Sequence, residues 1–415
     1  MRVLISTGEV SGDVVGAHLV RAIRERRGDA EVLAIGGPRM ERAGADLRFR
    51  SSHLGTVGLT EAFRTLPDFA RAWATVRRLV RDHRPHVTVL IGNDLFHVLL
   101  GRWLRSKGVP TVSYFPPQIW IWRSLAGQIV RSFDAVLASF PEEEAVYRRA
   151  SRGAHVTFVG HYLSDVLLPR TPRDVQAARR RLSVPDGVRV IGLMPGSRSH
   201  EVAALAPTLA GAARLLLERD ATIQFVLPVA EERYRTCIER SLAAAGVAGD
   251  VTLVPGPDYD AMTAADLLLM SSGTATLEAT LLGVPMVIVY RVSALTYTVV
   301  RAGLACGLIE SKTVGLPNLI LGRKAIPELV QGDATPEAIA CEAWTILSSP
   351  ARMRQLGAAL AEAAGFVSGG DTLDRVARSV IGWAAAVHDL QPVQTPSVDI
   401  LTRASRADRP VAGTE

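Results

Sequence analysis

Short, apolar, β-branched segments alternate along the sequence with longer stretches of helical periodicity, a pattern few folds can satisfy. Val3–Ser6, Val32–Ile35, Val87–Ile91, Thr111–Tyr114, Ala135–Ala138 and Val156–Val159 read as strands buried on both faces. Helical patterns such as Val14–Arg26 and Phe69–His83 lie between them. The signal then restarts with Val188–Leu193, Ile223–Pro228, Val251–Val254, Leu267–Met270 and Met286–Val289. Two such arrays predict an α/β chain with two doubly wound, Rossmann-like sheets facing a cleft. Ligands of such sheets bind beyond the carboxyl ends of the strands, so the cleft is the expected site.

A chain of 415 residues, 48% of them hydrophobic, can bury two cores of ordinary size. The expected divisions are 1–168 and 173–365, joined by the proline-punctuated hinge Leu168-Pro169-Arg170-Thr171-Pro172. An amphipathic helix over Asp371–Val387, within a segment 366–390, is followed by no strand. Beyond it, 391–415 turn to Pro, Ser, Thr, Arg and Asp and read as a disordered tail.

Several function classes are disfavoured. The apolar run at Met1–Ser6 is too short for a signal peptide and leads straight into a glycine loop. No segment reaches the roughly 18 apolar residues of a spanning helix, so a cytoplasmic chain, at most bound to a membrane surface, is expected. Cys237, Cys306 and Cys341 match no zinc or redox spacing and read as reduced thiols in or near the core. The net charge of +6 permits anionic ligands. It comes without basic runs interleaved with aromatics, so nucleic acid is not an expected partner.

Four segments carry chemistry. Gly8-Glu9-Val10-Ser11-Gly12-Asp13 is a strand-to-helix turn whose Glu9 and Asp13 either cap the helix or serve sugar hydroxyls and acid–base work. It lacks the Gly-x-Gly-x-x-Gly spacing of dinucleotide binders. Pro195-Gly196-Ser197-Arg198-Ser199-His200-Glu201 follows the first strand of the second array, with Ser197 or Ser199 as cap. Arg198 then stands beside a positive helix end, where backbone N–H groups and a guanidinium suit a diphosphate. Ser271-Ser272-Gly273-Thr274-Ala275-Thr276-Leu277-Glu278 repeats the arrangement, with Glu278 suited to ribose hydroxyls or to the helix dipole. Tyr114–Arg123, containing Trp120, Trp122 and Arg123, suits a shaped substrate wall.

These pieces, with Gly36-Gly37-Pro38-Arg39-Met40, Gly160-His161 and Leu316-Pro317-Asn318-Leu319, occur in an order that resembles the lipid-A-disaccharide synthase family. The resemblance runs from about Met1 to about Val387. It implies a GT-B glycosyltransferase that transfers from UDP-2,3-diacylglucosamine to 2,3-diacylglucosamine 1-phosphate with inversion, releasing UDP and using no metal or other cofactor. It also implies peripheral association with the cytoplasmic face of the inner membrane. Its last helix would cross back onto the first domain or exchange between protomers of a homodimer. Ser11, Ser197, Arg198, Ser272, Gly273, Thr274 and Glu278 fall in the matching substrate segments, as do Arg291 and Asn318. Leu54–Trp73 matches an apolar surface region, or else is a buried helix.

One segment departs from the family. Where it usually carries Ile-Asp-x-Pro-Asp-Phe, this chain has Ile91-Gly92-Asn93-Asp94-Leu95-Phe96-His97, so both carboxylates are missing in register. An inverting transfer needs a base for the acceptor hydroxyl. Asp94 is the first candidate, then His97, then Glu9 or Asp13. Two other readings stay open: a UDP-N-acetylglucosamine 2-epimerase-like isomerase, and a donor-binding relative with lost catalysis.

Overall fold

The computed structural model describes residues 1–51, 59–92, 94–119, 123–151, 153–256, 259–292 and 313–386. The expected tail lies outside them. The first half forms a parallel sheet of β1 (Arg2–Thr7), β2 (Glu31–Gly36), β3 (Asp46–Arg50), β4 (Val87–Ile91), β5 (Thr111–Tyr114), β6 (Ala135–Ala138) and β7 (His155–Phe158), in the order β3-β2-β1-β4-β5-β6-β7. The second forms β8 (Val190–Met194), β9 (Gln224–Val229), β10 (Val251–Pro255), β11 (Leu267–Ser271), β12 (Met286–Tyr290) and β13 (Glu328–Val330), ordered β10-β9-β8-β11-β12-β13.

Each order reverses beside its first strand, between β1 and β4 and between β8 and β11. Those switch points place the loops after β1, β4, β8 and β11 at the edges where ligands gather. Both faces of the sheets are covered. Val3 and Ile5 of β1 join one core, which continues through the second half, whereas Leu4 joins a second core with Leu33, Leu90 and Val136. Fully burying such a side chain is worth about 1.5–3 kcal/mol, which explains why these strands read as continuous apolar runs.

Two edge strands differ from the sequence expectation. In β3, Asp-Leu-Arg-Phe-Arg, three of five residues are charged and the outer positions are exposed. β13 is only three residues long. Edge strands need not be apolar on both faces, and neither resembles the buried pattern.

The last helix, Thr372–Ala386, returns to the first half and packs on the helix Val10–Arg26 through Val376, Ala377, Val380 and Ala384. Asp165 fixes its start by accepting from the Thr372 N–H at 3.1 Å and the Leu373 N–H at 2.7 Å. Arg375 donates to the Val159 carbonyl and Arg26 pairs with Asp374. Gly160, at φ +89, lies so close to this crossing that a β-carbon would meet Thr372 Oγ1 at 2.7 Å. Of the cysteines, Cys237 is half-buried and Cys341 is exposed, so Cys341 is not the core thiol expected from burial statistics. Cys306 lies outside the described residues.

One buried acid gives this fold a pH signature. Glu143, 2% exposed, accepts from the Ser139 N–H at 3.0 Å and the Phe140 N–H at 3.3 Å. Desolvation outweighs those bonds and pushes the carboxyl up to about 8, against an ordinary 4.5. The folded state therefore keeps a proton that the unfolded chain releases. The stability this group contributes is full below pH 4.5 and is lost as pH rises through about 8. Urea unfolding across pH 5–8 should show wild type losing up to about 1.4 kcal/mol per pH unit relative to Glu143→Gln, which cannot titrate. Parallel curves would exclude the effect.

Candidate functional site

The loops after β8 and β11 are neighbours because those strands pair. Gly196, at φ +114, turns the first loop, and its β-position lies 2.5 Å from Glu201 Oε2 and 3.1 Å from Ser271 Oγ. A side chain there has no room, so glycine is required on both counts. The helix Ser199–Leu217 begins with Arg198 in the N-cap position, rather than Ser197 or Ser199 as the sequence suggested. Glu201, 4% exposed, reaches back to the N–H groups of Ser197 at 3.1 Å and Arg198 at 3.2 Å. The same carboxylate pairs with Arg198 Nη1 at 3.1 Å, while the Arg198 side chain keeps about half its surface. The loop is thus rigid and presents one accessible guanidinium at a positive helix end, which is suited to an anion.

Beyond β11, Gly273 is the N-cap of the helix Thr274–Leu282, with φ +154 and no described residue within 4 Å of its β-position. Gly273 supplies no side-chain cap, and although the Thr276 N–H donates to the Gly273 carbonyl at 3.0 Å, the Thr274 and Ala275 N–H groups have no acceptor among the described residues and can meet a ligand beside the exposed Thr274. One turn in, Glu278 accepts from Tyr259 Oη at 3.2 Å. Desolvation raises the Glu278 carboxyl and, with the Glu278 charge, raises the phenols of Tyr259 and Tyr162. Tyr162 belongs to the first half, so Glu278 is a meeting point of both halves. Neither tyrosine carried a sequence signal: Tyr259 opens the six-residue helix Tyr259–Ala264 and Tyr162 lies in a turn. Ser272 is spent differently, its hydroxyl donating to the Val314 carbonyl at 2.6 Å.

Across the cleft, Glu9 sits at the N-cap of Val10–Arg26 without capping it, half-buried, and accepts from Ser11 Oγ at 3.2 Å. Both remain available at the rim. Asp13 does not. It is 1% exposed and its oxygens accept from the N–H groups of Gly37, Arg39 and Met40, each at 3.0 Å. It caps the next short helix, Pro38–Arg42, which corrects its reading as an acid–base group. His97 is likewise corrected: it is 2% exposed and both ring nitrogens are engaged, with Ser6 Oγ and the Gly92 carbonyl.

Asn318 is another correction. It is fully buried, donating to the Ile326 carbonyl and Glu328 Oε1 and accepting from the Ala325 and Ile326 N–H groups, all at 2.8 Å. Glu328 in turn accepts from the Gly315 N–H at 2.8 Å, so the pair staples the segment that Ser272 also holds. With every amide valence filled, Asn318 shapes the cleft wall rather than contacting substrate. Arg291 braces as well, through Thr208 Oγ1 at 3.2 Å and the Gln331 carbonyl at 3.5 Å.

Asp94 opens the helix Asp94–Ser106, but its side chain lies outside the described residues, as do Trp120 and Trp122. Arg123 stands 3.8 Å from Glu142. Before that segment, Phe115 is held at φ +56, a strained conformation for a bulky residue, with its ring edge-on to His161 at 4.9 Å. In the apolar region expected over Leu54–Trp73, Phe69 and Trp73 pack on Phe96, and Trp73 packs on Trp103. That end of the region is a helix contact. The side chains of Val57, Leu59, Phe63, Arg64 and Leu66 lie outside the described residues. No described helix is long and apolar enough to cross a membrane.

Comparison with known proteins adds a context to this geometry. The family profile described as lipid-A-disaccharide synthetase matches residues 3–362. The lipid-A-disaccharide synthase of Geobacter sulfurreducens is 38% identical over 381 residues, covering 92% of this chain and 96% of that one. That of Pseudomonas aeruginosa is 40% identical over 342 residues, 82% of this chain and 88% of the relative. Among solved structures, a UDP-GlcNAc 2-epimerase from Neisseria meningitidis bound to UDP-GlcNAc superposes with a TM-score of 0.63. It covers 92% of this chain and all of its own at 11% identity, a likeness of fold. The fold of two facing parallel-sheet halves is GT-B.

Proposed function

The chain belongs to the lipid-A-disaccharide synthase family, and from that premise we propose that it transfers 2,3-diacylglucosamine from UDP to 2,3-diacylglucosamine 1-phosphate. The acceptor 6-hydroxyl attacks the donor anomeric carbon from the face opposite UDP. The new C–O bond forms as the bond to the diphosphate breaks, the hydroxyl proton passes to a base, and inversion follows. The observation that carries this reading is the pair of adjacent helix starts after β8 and β11, one bearing Arg198 and the other uncapped at Gly273. Together they supply a guanidinium and open N–H groups where the departing diphosphate gathers charge. Thr274 lies at the same helix start, and Glu278 is placed for the ribose hydroxyls.

On this reading Asp94 is the favoured base, with Glu9 as the alternative carboxylate at the rim. Ser11, Trp120, Trp122 and Arg123 then belong to the acceptor side. Working on lipid-linked substrates, the protein would sit on the cytoplasmic face of the inner membrane without spanning it. The division of labour follows the expected boundaries, with 1–168 for the acceptor and 173–365 for the donor.

The test is purified protein with both acylated substrates, following UDP and disaccharide. Arg198→Ala should lower kcat/KM by about 10²-fold, the usual cost of one donor to a developing anion, with little change in melting temperature. Arg198→Lys should recover part of that loss as a point charge. UDP-sugar binding without turnover would favour a catalytically lost relative. Interconversion of UDP-amino-sugars without acceptor would indicate an epimerase.

A further inference from the structure

His97, read from sequence as a proton acceptor, has a different place in the fold. It lies one turn into the helix Asp94–Ser106 and spans the switch point of the first sheet. Its Nε2 is 3.0 Å from Ser6 Oγ on β1, and its Nδ1 meets the Gly92 carbonyl just past β4. A carbonyl oxygen only accepts, so the ring proton resides on Nδ1. Nε2 is then the acceptor, and Ser6 donates to it. Burial pushes the imidazole down to about 4, which keeps this neutral form through the neutral range.

Gly92 is the residue that this arrangement holds. Its φ is +62 and no described residue lies within 4 Å of its β-position. Its N–H donates to the Tyr114 carbonyl on β5 at 3.2 Å. Glycine has many accessible conformations, and the contacts described for Gly92 are made through its two peptide groups. The N–H is fixed by β5 and the carbonyl by His97. The helix Asp94–Ser106, which carries His97, begins two residues later.

We propose that His97 is a positioning residue for the transfer reaction, with its Nδ1–H fixing the Gly92 carbonyl and with it the end of β4 ahead of the helix Asp94–Ser106. The kinetic part rests on the transferase reading; the structural part does not. Asparagine and glutamine at 97 separate the two ring contacts. The asparagine amide nitrogen reaches the place of Nδ1, and the glutamine amide reaches that of Nε2.

With the full chain and both acylated substrates, His97→Gln should lower kcat by about a hundredfold, the scale of an ångström-sized misplacement, whereas His97→Asn should stay within about threefold of wild type. The KM for the UDP-sugar should move less than about twofold in either, because the donor residues lie on the other sheet. Hydrogen exchange of peptides covering 88–100 should quicken in His97→Gln and match wild type in His97→Asn. Equal kinetic losses in the two variants, or unchanged exchange in His97→Gln, would overturn the proposal. If His97→Gln yields no folded protein, His97→Asn decides alone: retained turnover supports the assignment, and a loss beyond about tenfold sinks it. A wild type that makes no disaccharide defeats the transferase reading, and the exchange comparison still tests the positioning role.

Discussion

Asp94→Asn is expected to lower turnover by about 10²–10⁴-fold, the usual contribution of a general base, with the KM for the UDP-sugar nearly unchanged. On the proposed reading, proton removal from the acceptor 6-hydroxyl belongs to the chemical step, and Arg198, Gly273 and Glu278, assigned there to the donor, lie on the other sheet. Single-turnover measurements with excess enzyme isolate that step from release of a lipid product. The companion variant is Gly92→Asp in the Asp94→Asn background. On the family resemblance Gly92 stands where an aspartate is expected, and no described residue lies within 4 Å of its β-position. The left-handed φ costs an aspartate about 1–2 kcal/mol, a strain that Asp and Asn tolerate better than most residues. Partial recovery of rate is expected. Turnover of Asp94→Asn at the wild-type level would move the base to Glu9.

Asp13→Ala should produce the largest loss of stability among the site-proximal substitutions, about 3–5 kcal/mol. Three backbone N–H groups lose their acceptor at once in a buried position, and each unsatisfied group costs about 1–3 kcal/mol. Asp13→Asn should cost less, since one amide oxygen can keep part of the set. Urea denaturation measures both. A stable Asp13→Ala protein that has lost transfer would restore the acid–base reading of this carboxylate.

Much of the fold was legible because burial on both faces of a parallel sheet leaves a strong local signal. Val87–Ile91 and Thr111–Tyr114 emerge with the bounds their apolar runs predict. Asp46–Arg50 and Glu328–Val330 did not, since an edge strand is stabilised by one neighbour and carries no such run. The helix starts after β8 and β11 were legible for a related reason. Glycine at a strand-to-helix turn, followed by a small hydroxyl residue or an arginine, states a local geometry that the chain then adopts.

Asn318, Asp13 and His97 were misread for one shared physical cause. A polar residue next to a cleft looks the same in sequence whether it faces ligand or turns inward to satisfy backbone groups. Only the partners 7 to 10 residues away for Asn318, 24 to 27 away for Asp13 and 91 away for His97 decide it. The Arg198 cap shows the same limit in milder form: the helix start was legible, but the role of Glu201 in freezing it was not.

The return of Thr372–Ala386 to the first sheet has a consequence for how the protein comes into being. During synthesis the first half emerges with one flank of Val10–Arg26 uncovered, and the segment that covers it is made only after the entire second sheet. The half begun first is therefore finished last. A fragment ending near Val367 would carry an exposed apolar groove, prone to self-association. Two fragments divided between Val367 and Thr372 would each hold what the other lacks, and a synthetic peptide of the last helix should bind the shortened chain in trans.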